Sequence, residues 1–186
     1  MFSKLARAWK YLTSPQKRQF LVLRWQCLRR KRFIPLQNLR VNRFSFDVPD
    51  APSFYWQCKE FFDRRAYDFQ SANTIPVIYD CGANVGVSVA YFKSRYPSAK
   101  IRAFEPDPVV YDYLSRNLKR NNLLEDVMLY RAAVWLHDAT ISFSPDGADG
   151  GRVNYMKVGG GYRCAEYRPQ AAIGFRISYR FFENGY

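Results

Sequence analysis

The run Asp80-Cys81-Gly82-Ala83-Asn84-Val85-Gly86 and, nineteen residues beyond it, Glu105 are the positions whose types and spacing could do chemistry. Glycines at a tight strand-to-helix turn let the backbone approach a ligand closely. An acidic side chain ending the next strand can accept hydrogen bonds from a ribose diol. Together they predict a site for an adenosine-type cofactor. A pyrophosphate held on a helix N-terminus favours G-x-G-x-x-G, whereas this turn has only Gly82 and Gly86, spaced G-x-x-x-G. A carboxylate at Asp80 would repel a diphosphate but attract a cofactor bearing an ammonium and a sulfonium. S-adenosylmethionine fits that charge pattern better than NAD. Each residue also has a plain structural reading: Asp80 as a helix cap, the glycines as turn formers, Glu105-Pro106 as a strand exit.

The surrounding pattern says what must position these groups. Ile75-Pro76-Val77-Ile78-Tyr79-Asp80 reads as a short apolar strand, and a helix through Val89-Ala90-Tyr91-Phe92 runs to about Tyr96, where Pro97 stops it. Ala99-Lys100-Ile101-Arg102-Ala103-Phe104-Glu105 reads as a second strand. Pro106-Asp107-Pro108 then opens a helix whose Val110, Tyr111, Leu114 and Leu118 keep helical spacing to about Asn121. Val127-Met128-Leu129-Tyr130 is a third strand, running on toward Ala133-Val134. This alternation predicts an α/β fold with a parallel sheet. Asn117 and Asn121 are expected on the helix surface or at its C-terminal cap, Tyr91 and Phe92 in the core, and His137 in a loop.

At these residues the chain resembles a known family. Val77-Ile78-Tyr79-Asp80-Cys81-Gly82-Ala83-Asn84-Val85-Gly86, then Phe104-Glu105-Pro106-Asp107-Pro108, then Leu114-x-x-Asn117 with Asn121-Asn122, is similar to the FkbM family of S-adenosylmethionine-dependent methyltransferases. The match covers about residues 65–155, including Ala132-Ala133-Val134. It implies a Rossmann-like class I methyltransferase sheet. By the resemblance Asp80, Gly82, Ala83, Asn84 and Gly86 hold the methionine part of the cofactor, Glu105 the ribose hydroxyls, and Ala133 lies near the adenine. No catalytic residue or metal ligand is assigned. The implied reaction is O-methylation of a sugar hydroxyl, with a glycan, glycolipid or natural product as the small-molecule or glycan acceptor. The alternative is a non-catalytic adenosine-ligand-binding or membrane-associated interaction module, and a nicotinamide-dependent dehydrogenase is disfavoured by the missing middle glycine.

After the third strand the family pattern continues with a fourth, of the kind Ile-Asp-Leu-Leu-Lys-Ile-Asp-Val-Glu-Gly-Ala-Glu. This chain instead reads Gly159-Gly160-Gly161 and Arg163-Cys164-Ala165-Glu166-Tyr167-Arg168-Pro169, without periodicity. Back-translation of residues 163–186 with permitted codons, read one base later, can encode a segment of the missing kind. The expectation is a sheet incomplete at the C-terminus, from a truncated or frameshifted gene.

The remaining composition constrains partners. The chain has 186 residues, 48% of them hydrophobic, and a net charge of +13, about one domain with enough apolar content for a core. Residues 1–43 carry twelve Lys or Arg and no Asp or Glu, leaving the other 143 residues nearly neutral. The charge therefore belongs to an N-terminal arm and not to a domain-wide nucleic-acid face. Phe2, Leu5, Ala6, Trp9 and Leu12 recur at helical spacing, and a second helix is expected from Pro15 to about Arg32 with Ser14 as its cap. Its Phe20, Leu21, Leu23, Trp25 and Leu28 interleave with arginines, as in an interfacial helix, and equally as in an arm packed on its own domain. Peripheral membrane contact through residues 1–32 is one expectation, and no nucleic-acid partner is expected.

The four separated cysteines and single histidine give no disulfide scaffold, zinc spacing or hydrolase triad. With no secretory signal pattern or spanning run, a cytoplasmic chain is expected, peripheral at the membrane if the arm docks there. The chain divides into a basic arm (1–43), a connecting segment (44–74), a partial cofactor-binding domain (75–158) and an atypical tail (159–186).

Overall fold

The computed structural model describes residues 14–134 and the backbones of three short strands beyond them. Helix α1 spans Pro15–Leu28. Strands β1 (Leu36–Val41) and β2 (Phe44–Val48) form an antiparallel hairpin. Helix α2, Ala51–Cys58, passes into a single wider turn at Lys59–Asp63. Then follow β3 (Val77–Cys81), α3 (Val87–Arg95), β4 (Lys100–Phe104), α4 (Pro108–Arg120) and β5 (Val127–Tyr130).

Strands β3, β4 and β5 make a parallel sheet with β4 in the middle, Cys81 level with Phe104 and Phe104 level with Tyr130. The expected α/β alternation is therefore present, each helix linking two neighbouring parallel strands. A separate antiparallel set follows, β6 (Ser142–Ser144) between β7 (Arg152–Asn154) and β8 (Tyr162–Arg163). His137 and Cys164 lie outside the described residues.

Capping chemistry sets where the helices start. Asp107 caps α4 by accepting from Val109 N and Val110 N, and Pro108 supplies a first residue whose missing N–H costs nothing there. Asp50 caps α2 through Ser53 N and also receives the Arg32 guanidinium at 2.8 Å and Phe33 N at 2.8 Å. Ser14 stands at the start of α1 but makes no side-chain cap bond, contrary to expectation. That helix also stops at Leu28, four residues short of the expected end.

The core joins α1, the hairpin and the sheet. Leu23 and Cys27 of α1 are buried, as are Val41, Phe46, Val48 and Phe54, and Ile101, Ala103, Leu114 and Leu118 of the β4–α4 unit. The hairpin crosses the division drawn at residues 43 and 44 from charge, because strand pairing and not composition defines it.

Asn117 corrects the expectation of a surface or capping asparagine. It has no exposed area, accepts from Asp47 N at 2.8 Å, and donates through Nδ2 to Asp47 O at 2.9 Å and Val85 O at 3.0 Å. Asn121 does stand at the C-terminal cap of α4, and it also bonds Ser45 N and Ser45 O. Arg120 grips Asp47 with both guanidinium nitrogens, at 2.6 and 2.5 Å. Two side chains of α4 and that of its C-cap thus fasten β2 to the sheet domain, about 70 residues away in sequence.

Candidate functional site

The site is the carboxyl end of β3 and β4. Gly82 N and Ala83 N both donate to Phe104 O at 2.9 Å, so the turn after β3 is tied to the end of its neighbour. Three consecutive features then reverse the chain: Gly82 at φ +112°, Asn84 at φ +46° and Gly86 at φ +96°. Asn84 tolerates this left-handed conformation because its Oδ1 accepts from Val85 N at 2.8 Å.

The two glycines do different work. A Cβ at Gly82 would meet nothing within 4 Å, so the backbone there borders open space. A Cβ at Gly86 would stand 3.0 Å from Leu118 Cδ2 and 3.1 Å from Leu114 Cδ1. Gly86 therefore lets the start of α3 pack on α4, a structural duty separate from any ligand.

Glu105 is 6% exposed and binds the turn directly. Its Oε2 accepts from Asn84 N at 2.9 Å and its Oε1 from Asp107 N at 2.9 Å. One carboxylate thus joins the β3 turn to the start of α4. Asp80 does not cap α3, whose N-cap is Gly86; its Oδ2 accepts from the Ser88 hydroxyl at 2.6 Å. Ser88, Asp107 and Asn117 were not assigned as site supports in the sequence, although Asp107, before a proline, and Asn117, in Leu114-x-x-Asn117, belong to the motifs of the family resemblance. Ala83 is buried and contributes backbone, while Ala133 is half-buried beyond β5. The Phe104 and Tyr130 rings stack at 4.7 Å beside the ends of β4 and β5.

The segment after α2 packs on α3 through a chain of rings. Phe61 stacks on Tyr67 at 4.4 Å and tilts against Tyr91 at 5.6 Å, and Phe69 stacks on Tyr96 at 5.0 Å. The Tyr91 hydroxyl donates to Asp68. Tyr91 and Phe92 are buried, as core residues should be. Burial first, then the charges of Glu60 and Asp80, push the Tyr67 hydroxyl above its ordinary range.

Burial pushes the Glu105 carboxyl up to about 7, opposed by the N–H groups of Asp107 and Asn84 and reinforced by the charges of Asp107 and Asp80. Burial likewise pushes Asp80 up to about 6 against the Ser88 hydroxyl. Both values exceed the ordinary 4.5 and 3.8, so the folded chain holds more protons than the unfolded one across that interval. Stability contributed at these two groups therefore falls as pH rises from about 4 to about 7 and is level above. Calorimetric melting of the chain and of Glu105→Gln should show a smaller decline over this window in the variant; an equal decline would mean Glu105 does not titrate there.

Among the described residues no group of three or more His, Cys, Asp or Glu is placed to hold a metal. Cys27 and Cys58 are buried free thiols, and Cys81 is an exposed one. No helix among the described residues is long and apolar enough to cross a membrane.

A parallel α/β sheet with a glycine turn after one strand and an acid ending the next defines a Rossmann-like nucleotide-cofactor class. No family model matches the chain. It is 51% identical over 88 residues to Methyltransferase sdnD of Sordaria araneosa, a match covering 47% of this chain and 33% of that protein. It is 29% identical over 102 residues to 31-O-demethyl-FK506 methyltransferase FkbM of Streptomyces tacrolimicus, covering 48% and 39% respectively. The crystal structure of M. jannaschii TYW2 in complex with AdoMet superposes with a TM-score of 0.40 at 25% identity, over 54% of this chain and 43% of that one. The chain spans about a third of the length of the curated relatives it matches. Those relatives are named methyltransferases, one of them FkbM, and the matched part of the chain is similar to them.

Proposed function

We propose that this chain carries the cofactor site of an S-adenosylmethionine-dependent methyltransferase. The observation that carries the reading is the pairing of Glu105 with the β3 turn, which brings the acid, Asp80 and the open backbone at Gly82 to one end of the sheet. The residues fit the cofactor: a Cβ at Gly82 would meet nothing within 4 Å, and the Glu105 carboxylate is bonded to Asn84 N in the same turn. Asp80 attracts the ammonium and sulfonium charges. Glu105 faces the ribose hydroxyls while holding the turn in shape, the Gly82, Ala83 and Asn84 backbone lies along the methionine part, and Ala133 lies near the adenine. Gly86 acts through packing. When bound, the cofactor supplies a methyl group on a sulfonium, ready for transfer to an aligned nucleophile.

The acceptor in this reading is an oxygen, a sugar hydroxyl of a glycan, glycolipid or natural product. The name of the Streptomyces relative, which refers to an O-demethyl compound, supports oxygen as the atom methylated. Calorimetric titration with S-adenosylhomocysteine tests the site on the 186-residue chain, beside a chain continued in the shifted frame. Binding to either chain supports the reading. Preference for NAD, or no binding by both, would sink it. Binding without turnover in the longer chain would favour a non-catalytic adenosine-ligand module over the enzyme.

A further inference from the structure

Helix α1 buries Leu23 and Cys27 and turns large apolar side chains, mixed with arginines, to solvent. Leu23 and Cys27 are buried, and the helix packs on α2 and β1. At about 100° per residue, Trp25 lies about 180° around the helix from the midpoint of that pair. Trp25 is 62% exposed and Val22 55%, with Leu21 and Leu28 exposed on the same side. Phe33 and Ile34, just past the helix, are exposed as well. Arg18, Arg24 and Arg29 are exposed among them, and the Arg29 guanidinium stands over the Trp25 ring at 5.3 Å.

A packed surface helix normally turns polar residues outward, and a run of large exposed apolar groups on one side marks a contact surface. The occupant must match both parts of this one. Nucleic acid offers phosphates for the arginines but no apolar layer for Trp25, Val22, Leu21 and Leu28. An apolar protein face leaves a set of cations unmatched, since residues 1–43 contain no acid. An anionic lipid surface meets both demands, with headgroup phosphates for the cations and the acyl boundary for the apolar side chains. The helix is about 21 Å long, too short for a hydrocarbon core of about 30 Å, so it lies in the plane of the surface.

We propose that α1 docks this protein on an anionic membrane surface, with Trp25 as the central anchor and Leu23 and Cys27 transmitting the attachment to the body. The proposal is independent of the cofactor reading. Sedimentation of the full chain with vesicles of equal parts phosphatidylserine and phosphatidylcholine, beside vesicles of phosphatidylcholine alone, tests it.

The expected result is binding to the anionic vesicles with a blue shift of tryptophan emission, and little to the neutral ones. Replacing Val22 and Trp25 together by serine should weaken that binding by about tenfold or more. Both side chains are exposed, so circular dichroism should show an unchanged fold. Three outcomes would overturn the proposal: no binding to anionic vesicles, binding that survives the double replacement, or self-association of the chain that the replacement abolishes.

Discussion

Replacing Asn117 by leucine is expected to destabilise the protein by about 3 to 5 kcal/mol, read as a loss of denaturant midpoint at unchanged slope. The side chain satisfies three buried backbone groups at once: the N–H and C=O of Asp47 and the C=O of Val85. Each such group left without a partner costs about 1 to 3 kcal/mol. Leucine keeps the branching at Cγ but is bulkier than the amide, so the effect combines lost hydrogen bonds with crowding and involves no cavity. A loss of this size is a large share of the roughly 5 to 15 kcal/mol that holds a domain together. Because Val85 lies in the turn between Gly82 and Gly86, the substitution should also loosen the candidate site. A midpoint shift under about 1 kcal/mol would mean that water replaces the amide, and the stapling role would be withdrawn.

Glu105→Ala is expected to weaken S-adenosylhomocysteine binding by about 1 to 3 kcal/mol, or about five- to 150-fold in Kd by calorimetry. Its effect on stability should be milder at pH 8 than at pH 5. The carboxyl, with its pKa pushed up to about 7, is ionised at pH 8 in a place where ionisation opposes folding. Removing it there also removes that cost, while the Asn84 and Asp107 N–H groups lose their acceptor at either pH. Binding lost out of proportion to stability is thus the signature of ligand contact. Unchanged affinity would take Glu105 out of the site and leave it as a brace between the β3 turn and α4.

The parts of the fold that were legible in the sequence are those decided within a few residues. The strands from Val77, Lys100 and Val127 were read within two or three residues of their ends, because short apolar runs bounded by turn formers are local signals. Asp107-Pro108 announced a helix start because capping is a contact between neighbours. Strand β1 was not read, since Leu36-Gln37-Asn38-Leu39-Arg40-Val41 breaks the alternation of a strand. The reason is a register irregularity between Leu36 and Leu39, where Asn38 turns to φ +58°. The run from Phe54 to Tyr67 is rich in aromatic residues. It divides at Cys58 into an α-helix and a wider turn, from which Phe61 reaches the rings of α3.

By itself the sequence determined that a glycine turn and an acid end two successive strands, and that cations without acids fill the first 43 residues. Only the tertiary structure decided what each then does. It put Asn117 at the centre of the hairpin attachment, because the backbone groups it satisfies lie 70 and 32 residues earlier and no local pattern can announce them. It separated the duties of Gly82 and Gly86, because one faces space and the other faces the leucines of α4. It also chose which side of α1 turns inward. Apolar and polar residues mix all round that helix, so its periodicity names no face, and packing against α2 and β1 buries Leu23 and Cys27 while leaving Trp25 exposed.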